Sequence, residues 1–141
     1  MLCALAVPAG AAAQGTGEVA AVRHSPYGEA PAWHGDTPPR PVAGPVEILK
    51  TAELRPGMKG VAWTVFQGAQ PEAVPVEIIG LWKNAWGPRQ DVILAKLGGK
   101  AAQTNVAGGM SGSPVYVDGK LIGAIALRIS VFSPDAICGI T

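Results

Sequence analysis

Residues 108–123, with the sequence GGMSGSPVYVDGKLIG, decide the predicted fold of this chain. They begin with a glycine turn that contains Ser111 and continue directly into an apolar hairpin. Asp118-Gly119 is a strong two-residue hairpin signal, because a type I′ turn requires positive φ at both central residues. Residues 121–127 then form a predicted buried return strand, in which Gly123 marks a close approach of two backbones. The pattern predicts an exposed serine on a tight turn at the mouth of a β-ribbon.

This turn has the features that a nucleophilic serine needs. The hydroxyl must be exposed, and nearby backbone N–H groups must converge to hold a developing oxyanion. Residues 109–114, GMSGSP, are similar to the Gly-Asp-Ser-Gly-Gly-Pro pattern of chymotrypsin-like proteases. That likeness implies that Ser111 is the nucleophile, that the amides of Gly109 and Ser111 form the oxyanion hole, and that Ser113 orients the turn. On these six residues alone, an ordinary Gly/Ser loop before a hairpin is an equally good interpretation.

Including the hairpin makes the pattern more specific. GMSGSP, a short apolar strand, a polar-Gly-Lys turn and LIGA together resemble the SpoIVB serine peptidase family. The likeness extends less strongly over residues 53–97 and again over residues 137–141, about two-thirds of the chain. It implies a hydrolase with a chymotrypsin-like β-barrel that acts on protein or peptide substrates. It also implies that residues 46–141 form the peptidase domain.

The rest of the chain predicts further short strands. Residues 61–66, 74–82, 91–97 and 137–140 are rich in β-branched and apolar residues, and Gly/Pro turns separate them. Residues 45–50 are a further candidate strand. No long helical periodicity is present, so we expect an all-β barrel or sandwich. These strands suffice for only one barrel, whereas a chymotrypsin-like enzyme has two. We expect Trp82 and Trp86 to form a small buried aromatic cluster, with a substrate-side wall as the alternative.

The N-terminal third has a different composition. Residues 1–14, MLCALAVPAGAAAQ, resemble the apolar core and cleavage site of a signal peptide without its basic leading region, which predicts a secreted or periplasmic protein. The alternative is an Ala-rich disordered tail. Residues 15–45 are rich in Gly, Pro and Ala, and we expect a poorly ordered linker. The chain ends at Thr141 directly after an apolar segment, so we expect the domain to be incomplete at its C-terminus.

Composition excludes several classes of protein. A chain of 141 residues is at most one domain. The net charge of +1 without a basic stripe argues against nucleic acid as a partner, and no apolar run is long enough for a membrane span. We find no metal-ligand spacing and no phosphate-binding loop, so no metal or cofactor is predicted. Cys138 is expected to be a small buried hydrophobe.

The general base is the missing part of the prediction. The family places its histidine in a Gly-His-Gly-type motif, which this chain lacks; His24 and His34 lie in the predicted linker, where we expect solvated side chains. Asp91 is the candidate for the acid that orients the base, with a strand-start residue that caps its own backbone as the alternative. Lys100 and Lys120 are poor candidates for a base because we expect both to be solvated and therefore protonated. A base would then come from a missing segment or another chain.

Two functions remain open. The first is an exported serine endopeptidase that hydrolyses peptide bonds through Ser111. The second is a non-catalytic β-module of the same ancestry that binds peptides or a partner protein through an exposed strand edge.

Overall fold

The structure, a computed structural model, describes residues 27–32, 35–129 and 133–141. The described chain contains six strands, one α-helix (α1) and two short 3-10 turns. The strands are β1 (Lys59–Thr64), β2 (Glu72–Trp82), β3 (Val92–Leu97), β4 (Pro114–Val117), β5 (Lys120–Arg128) and β6 (Ile137–Ile140). Helix α1 spans Gly99–Thr104, and the 3-10 turns span Thr51–Glu53 and Gly108–Met110.

The six strands close into one antiparallel barrel in the order β1-β2-β3-β6-β5-β4, and β4 pairs back onto β1. The prediction of an all-β fold with a single barrel is therefore confirmed. The predicted hairpin of β1 and β2 also forms, with Thr64 opposite Glu72. Residues 45–50 are not a strand, because their backbone makes only an isolated parallel bridge from Ile48 to Leu121. No helix in the described ranges is long and apolar enough to cross a bilayer.

The barrel interior is filled by alternate residues of the strands, as period-two geometry requires. The largest fully buried side chains include Ile78, Leu97, Met110, Ile125 and Ile140. Met110 comes from a 3-10 turn rather than from a strand, and it anchors the segment just before Ser111 in the core. The core therefore holds the candidate site in place from below.

Two glycine predictions in the hairpin are confirmed. Asp118 and Gly119 have φ values of 50° and 76°, as a type I′ turn between β4 and β5 requires. Gly123 has φ +144°, and a Cβ there would lie 2.6 Å from the carbonyl oxygen of Thr141. A side chain at this position would push apart the backbones of β5 and the chain end.

The loop between β2 and β3 differs from its prediction. Trp82 and Trp86 have 52% and 57% of their surface exposed, so the expectation of a buried aromatic cluster is wrong. The loop is organised by hydrogen bonds instead, since the Arg89 amide donates to Asn84 Oδ1 at 2.9 Å. Because polar contacts hold this backbone, the tryptophans are not needed for packing.

Part of the predicted linker packs on the barrel. Residues 27–32 cross the outer face of β3, where Pro31 is buried and its carbonyl oxygen lies against Gly98. Beneath this segment, Lys96 is 3% exposed and donates to the carbonyl oxygen of Gly28. Residues 27–32 therefore belong to the folded unit. The predicted signal peptide, residues 1–14, lies outside the described residues.

Candidate functional site

Ser111 lies on a tight turn between the 3-10 turn Gly108–Met110 and β4. Its φ and ψ are −59° and 134°, Gly112 follows with φ +85°, and the Ser113 amide donates to the Met110 carbonyl at 3.1 Å. These values define a type II turn, which requires positive φ at its third residue and therefore favours glycine there. We call residues 110–113 the Ser111 turn. The Ser111 residue is exposed at its tip.

The rest of the turn is attached firmly to the barrel. Ser113 is buried, and its hydroxyl donates to Thr64 Oγ1 of β1 at 2.8 Å. On the other side, the Gly112 amide donates to the Ile125 carbonyl of β5 at 2.8 Å, and the Ile125 amide donates to the Ser113 carbonyl at 2.9 Å. Ser113 thus has a contact suited to orienting the turn, whereas Ser111 faces outward.

Two backbone amides at the Ser111 turn already donate hydrogen bonds to nearby backbone carbonyls. The Ser111 amide donates to the Gly108 carbonyl at 3.4 Å, and the Met110 amide donates to the Ala107 carbonyl at 3.0 Å. The first bond is long and therefore weak. In this conformation the Ser111 amide points back into the 3-10 turn, so it can hold an oxyanion only after that bond opens.

Ser111 opens onto a groove with a volume of about 250 Å³, which we call the Ser111 groove. Its far wall is residues 125–128 of β5, and the pairing of β5 with β6 shifts register between Ile125 and Leu127. Bulges of this kind redirect a strand and often occur beside functional sites. The sequence contains no signal for this groove, because residues 125–128 have the composition of an ordinary strand.

A second cleft is lined by residues just before Ser111. It has a volume of about 780 Å³ and is lined by Phe66, Lys100, Gly109 and Met110 among others. Ser111 therefore lines the first groove, and its neighbours Gly109 and Met110 line the second.

The structure does not bring Asp91 to Ser111. Asp91 lies in the loop between β2 and β3, where its carboxylate accepts a hydrogen bond from the Asn84 amide at 2.9 Å. Along the sheet, β6 and β5 lie between β3, which follows Asp91, and the Ser111 turn. In this position the carboxylate caps the backbone of a residue seven positions earlier in the chain. The role of Asp91 as the acid that orients a base stays a prediction.

The candidate bases from the sequence are two histidines and two lysines. His24 and His34 lie outside the described residues. Lys100 forms an ion pair with Glu72 and lies 5.7 Å from the centroid of the Phe66 ring, and Lys120 pairs with Glu47 at 3.2 Å. Lys100 and Lys120 are exposed by 62% and 44%, as expected for solvated lysines.

The Ser111 groove itself offers no base from the described part of the chain. The only ionisable side chain among its lining residues is that of Arg128. A guanidinium stays protonated in proteins and cannot accept the serine proton. The described residues supply an exposed serine on an anchored turn, and a base for it would have to come from elsewhere.

A buried ion pair outside the Ser111 groove is not predicted by the sequence. Lys96 Nζ lies 3.1 Å from Asp135 Oδ1, with the two side chains 3% and 7% exposed. A buried lysine needs such a partner, because an isolated charge in the protein interior is very costly. The local sequence could not identify Asp135, which is 39 positions away and reaches β3 only through the pairing of β6. The contact with Gly28 indicates that the pair holds residues 27–32 in place.

Comparison with known proteins adds no assignment: no family model, curated protein or solved structure matches this chain. The resemblance to SpoIVB peptidases therefore depends on the residues of the Ser111 turn, the hairpin and their flanks. No group of three or more potential metal-ligating side chains is found within the described ranges.

Proposed function

We propose that this protein is an exported serine endopeptidase of the SpoIVB type, with a chymotrypsin-like barrel and Ser111 as its nucleophile. The observation that carries the proposal is the exposed Ser111 on a type II turn whose flanking residues are anchored to β1 and β5. A nucleophilic serine needs this combination of an exposed hydroxyl and a fixed backbone. The signal-like residues 1–14 support a secreted or periplasmic location.

The geometry supports a defined course for peptide hydrolysis. An extended peptide lies along residues 125–128 of β5 and crosses the Ser111 turn, which places its carbonyl carbon above the Ser111 hydroxyl. Ser111 Oγ attacks that carbon while a base accepts the hydroxyl proton, and the C–N bond then breaks as the proton passes to the leaving amine. Water, activated by the same base, hydrolyses the ester left on Ser111 and releases the second product. The amides of Gly109 and Ser111 hold the oxyanion once the 3.4 Å bond from Ser111 to the Gly108 carbonyl opens.

The base in this proposal is a histidine from outside the described residues. His34, in WHGD, is closer to the family motif than His24, in HSP, but neither matches it and neither is assigned the role. The base therefore comes from a missing segment or from another chain. Asp91 takes part only if the β2–β3 loop releases its carboxylate from Asn84.

Labelling with a fluorophosphonate tests the nucleophile directly. We expect the full-length protein to be labelled on Ser111, and Ser111→Ala to abolish the label, because the probe reacts with a serine hydroxyl that a base activates. Ser133→Ala is the control and should keep the label, since Ser133 lies outside the Ser111 turn and its hydroxyl accepts a hydrogen bond from the Asp135 amide. His34→Ala and His24→Ala should identify the base if it belongs to this chain. A folded wild-type protein that takes no label would contradict the proposal.

A second function is favoured by two observations. The Ser111 amide is already bonded to Gly108, and the described groove holds no base. Both are expected of a non-catalytic module that binds a peptide along β5. This candidate predicts peptide binding that is equal in wild type and Ser111→Ala, together with no covalent labelling of either.

A further inference from the structure

A separate surface on the barrel combines aromatic side chains with a proline-rich stretch of the same chain. Val61, Trp63 and Tyr116 form what we call the aromatic face. Val61 lies opposite Tyr116 in the pairing of β1 with β4, and Trp63 is two residues further along β1. Their neighbours Ala62, Val115 and Val117 belong to the buried core. Since successive side chains of a strand point to opposite faces, the aromatic face lies on the outside of the barrel.

Residues 37–42, TPPRPV, lie beside this face, and we call them the proline segment. Pro38, Pro39, Pro41 and Val42 line a common groove with Trp63, Tyr116 and Val61, and the groove has a volume of about 520 Å³. Prolines fix their own φ near −65° and push the preceding residue toward extended conformations. The segment contains the spacing Pro38-x-x-Pro41, which suits a polyproline II helix.

The proline segment is largely exposed and has a polar contact with the rest of the fold. Arg40 donates to the Pro71 carbonyl at 3.2 Å, which tethers the segment to the loop between β1 and β2. Within residues 36–42 only Pro38 is half-buried, and Val42 is 90% exposed. The segment therefore lies at the rim of a groove in which Val61 is buried and Trp63 and Tyr116 are half-buried. Another chain would reach these side chains once the segment moves away.

We propose that the aromatic face is a docking site for a proline-rich peptide of the Pro-x-x-Pro type from a partner protein. The chain's own proline segment is an intramolecular competitor for the same surface. Aromatic grooves bind such peptides because the polyproline II helix is already extended and loses little conformational entropy on binding. The aromatic face is formed by different residues from the Ser111 groove, so the proposal is independent of whether Ser111 is a catalytic nucleophile.

The test uses a peptide with the sequence of residues 35–44, GDTPPRPVAG, added to the full chain. The variant Pro38→Ala/Pro39→Ala/Pro41→Ala removes the intramolecular competitor. We expect this variant to bind the peptide about tenfold more tightly than wild type does. The reason is that a proline segment that occupies the site in roughly nine of ten wild-type molecules leaves only about a tenth of the sites free. Titration calorimetry measures both affinities, and a peptide with its prolines replaced by alanine should bind neither protein.

The position of binding is tested in the same triple-alanine protein. The NMR signals of the Trp63 indole and of Tyr116 should shift on adding the peptide, whereas those of Trp82, an exposed tryptophan at the end of β2, should not. Trp63→Ala should weaken binding at least tenfold, and Trp82→Ala should leave it unchanged. Equal affinity of wild type and triple variant, or shifts that avoid Trp63, would overturn the proposal. So would binding of the alanine peptide, or no binding at all. The NMR readout needs no further substitution, so the result stands even if Trp63→Ala does not fold.

Discussion

At the scale of single residues, two serines two positions apart have opposite environments. Ser113 is 8% exposed and bonded to Thr64, whereas Ser111 is exposed at the tip of its turn. The difference arises because Gly112 takes a positive φ and reverses the chain between them. A residue with a Cβ at this position would be strained in that conformation. The local backbone therefore determines which hydroxyl can meet a ligand.

The buried hydrogen bond of Ser113 gives a prediction about stability. Ser113→Ala should lower the free energy of unfolding by about 1–3 kcal/mol, because the Thr64 hydroxyl is then buried without its partner. Urea denaturation measures this change. The double variant Ser113→Ala/Thr64→Val should recover part of the loss, since neither polar group remains. Ser111→Ala is the exposed control and should change stability by less than about 0.5 kcal/mol. Equal unfolding midpoints for Ser113→Ala and wild type would refute this role.

At the scale of elements, the connection of residues 27–32 to β3 is the least expected feature. Three contacts secure it: Pro31 against Gly98, and Lys96 to both the Gly28 carbonyl and Asp135. Gly98 matters here because it has no side chain where the two backbones meet. The segment thus behaves as part of the barrel wall, although its composition is that of a linker.

Gly98→Ala should displace residues 27–32 from β3. Its new Cβ would overlap the Pro31 carbonyl oxygen and lie 3.0 Å from Pro75 Cγ. We expect faster hydrogen exchange in a peptide covering residues 27–32 and a loss of about 1–3 kcal/mol in stability. Gly80→Ala is the matched control, because a Cβ there meets nothing within 4 Å. Unchanged exchange in the Gly98→Ala protein would show that the two backbones do not meet as described.

At the scale of the whole molecule, barrel closure makes each strand depend on both of its neighbours. β6 lies between β3 and β5, and all four of its residues are buried. Cys138 in this strand is completely buried, and burial raises the pKa of its thiol to about 12. A closed barrel of this size is expected to unfold in a single cooperative step.

Cys138 can therefore report global unfolding. In a Cys3→Ser background, we expect iodoacetamide at pH 8 to modify Cys138 only at the rate at which the barrel opens.

The raised pKa of Cys138 also makes stability depend on pH. The pKa rises from 9.0 to about 12 on folding, so the contribution of this thiol to the free energy of unfolding is complete below pH 9. That contribution is lost as the pH rises from about 9 through 12, because the unfolded thiol ionises first. Thermal denaturation across this range measures the loss.

A Cys138→Ala variant in the same background is the control for the pH dependence and should lack this component. Labelling of folded protein at the rate of a free cysteine would contradict the burial of the thiol.

The parts that the sequence predicted are those governed by local rules. The strands were located to within two residues of their observed ends, because β-branched runs between Gly/Pro turns need no distant information. The type I′ turn at Asp118-Gly119 and the close approach at Gly123 follow from backbone sterics in the same way. The exposed Ser111 follows from the glycine that comes after it.

Long-range packing decided the remainder. The pairing of β6 between β3 and β5, the Lys96–Asp135 pair and the groove beside residues 125–128 join segments that are far apart in the chain. No local pattern encodes which strand will lie next to another, or that Asp91 will cap Asn84 rather than approach Ser111. The amino-acid sequence alone determined where the backbone turns and which residues suit a strand. Only the closed barrel decided which of those residues meet, because that depends on the summed burial of all six strands.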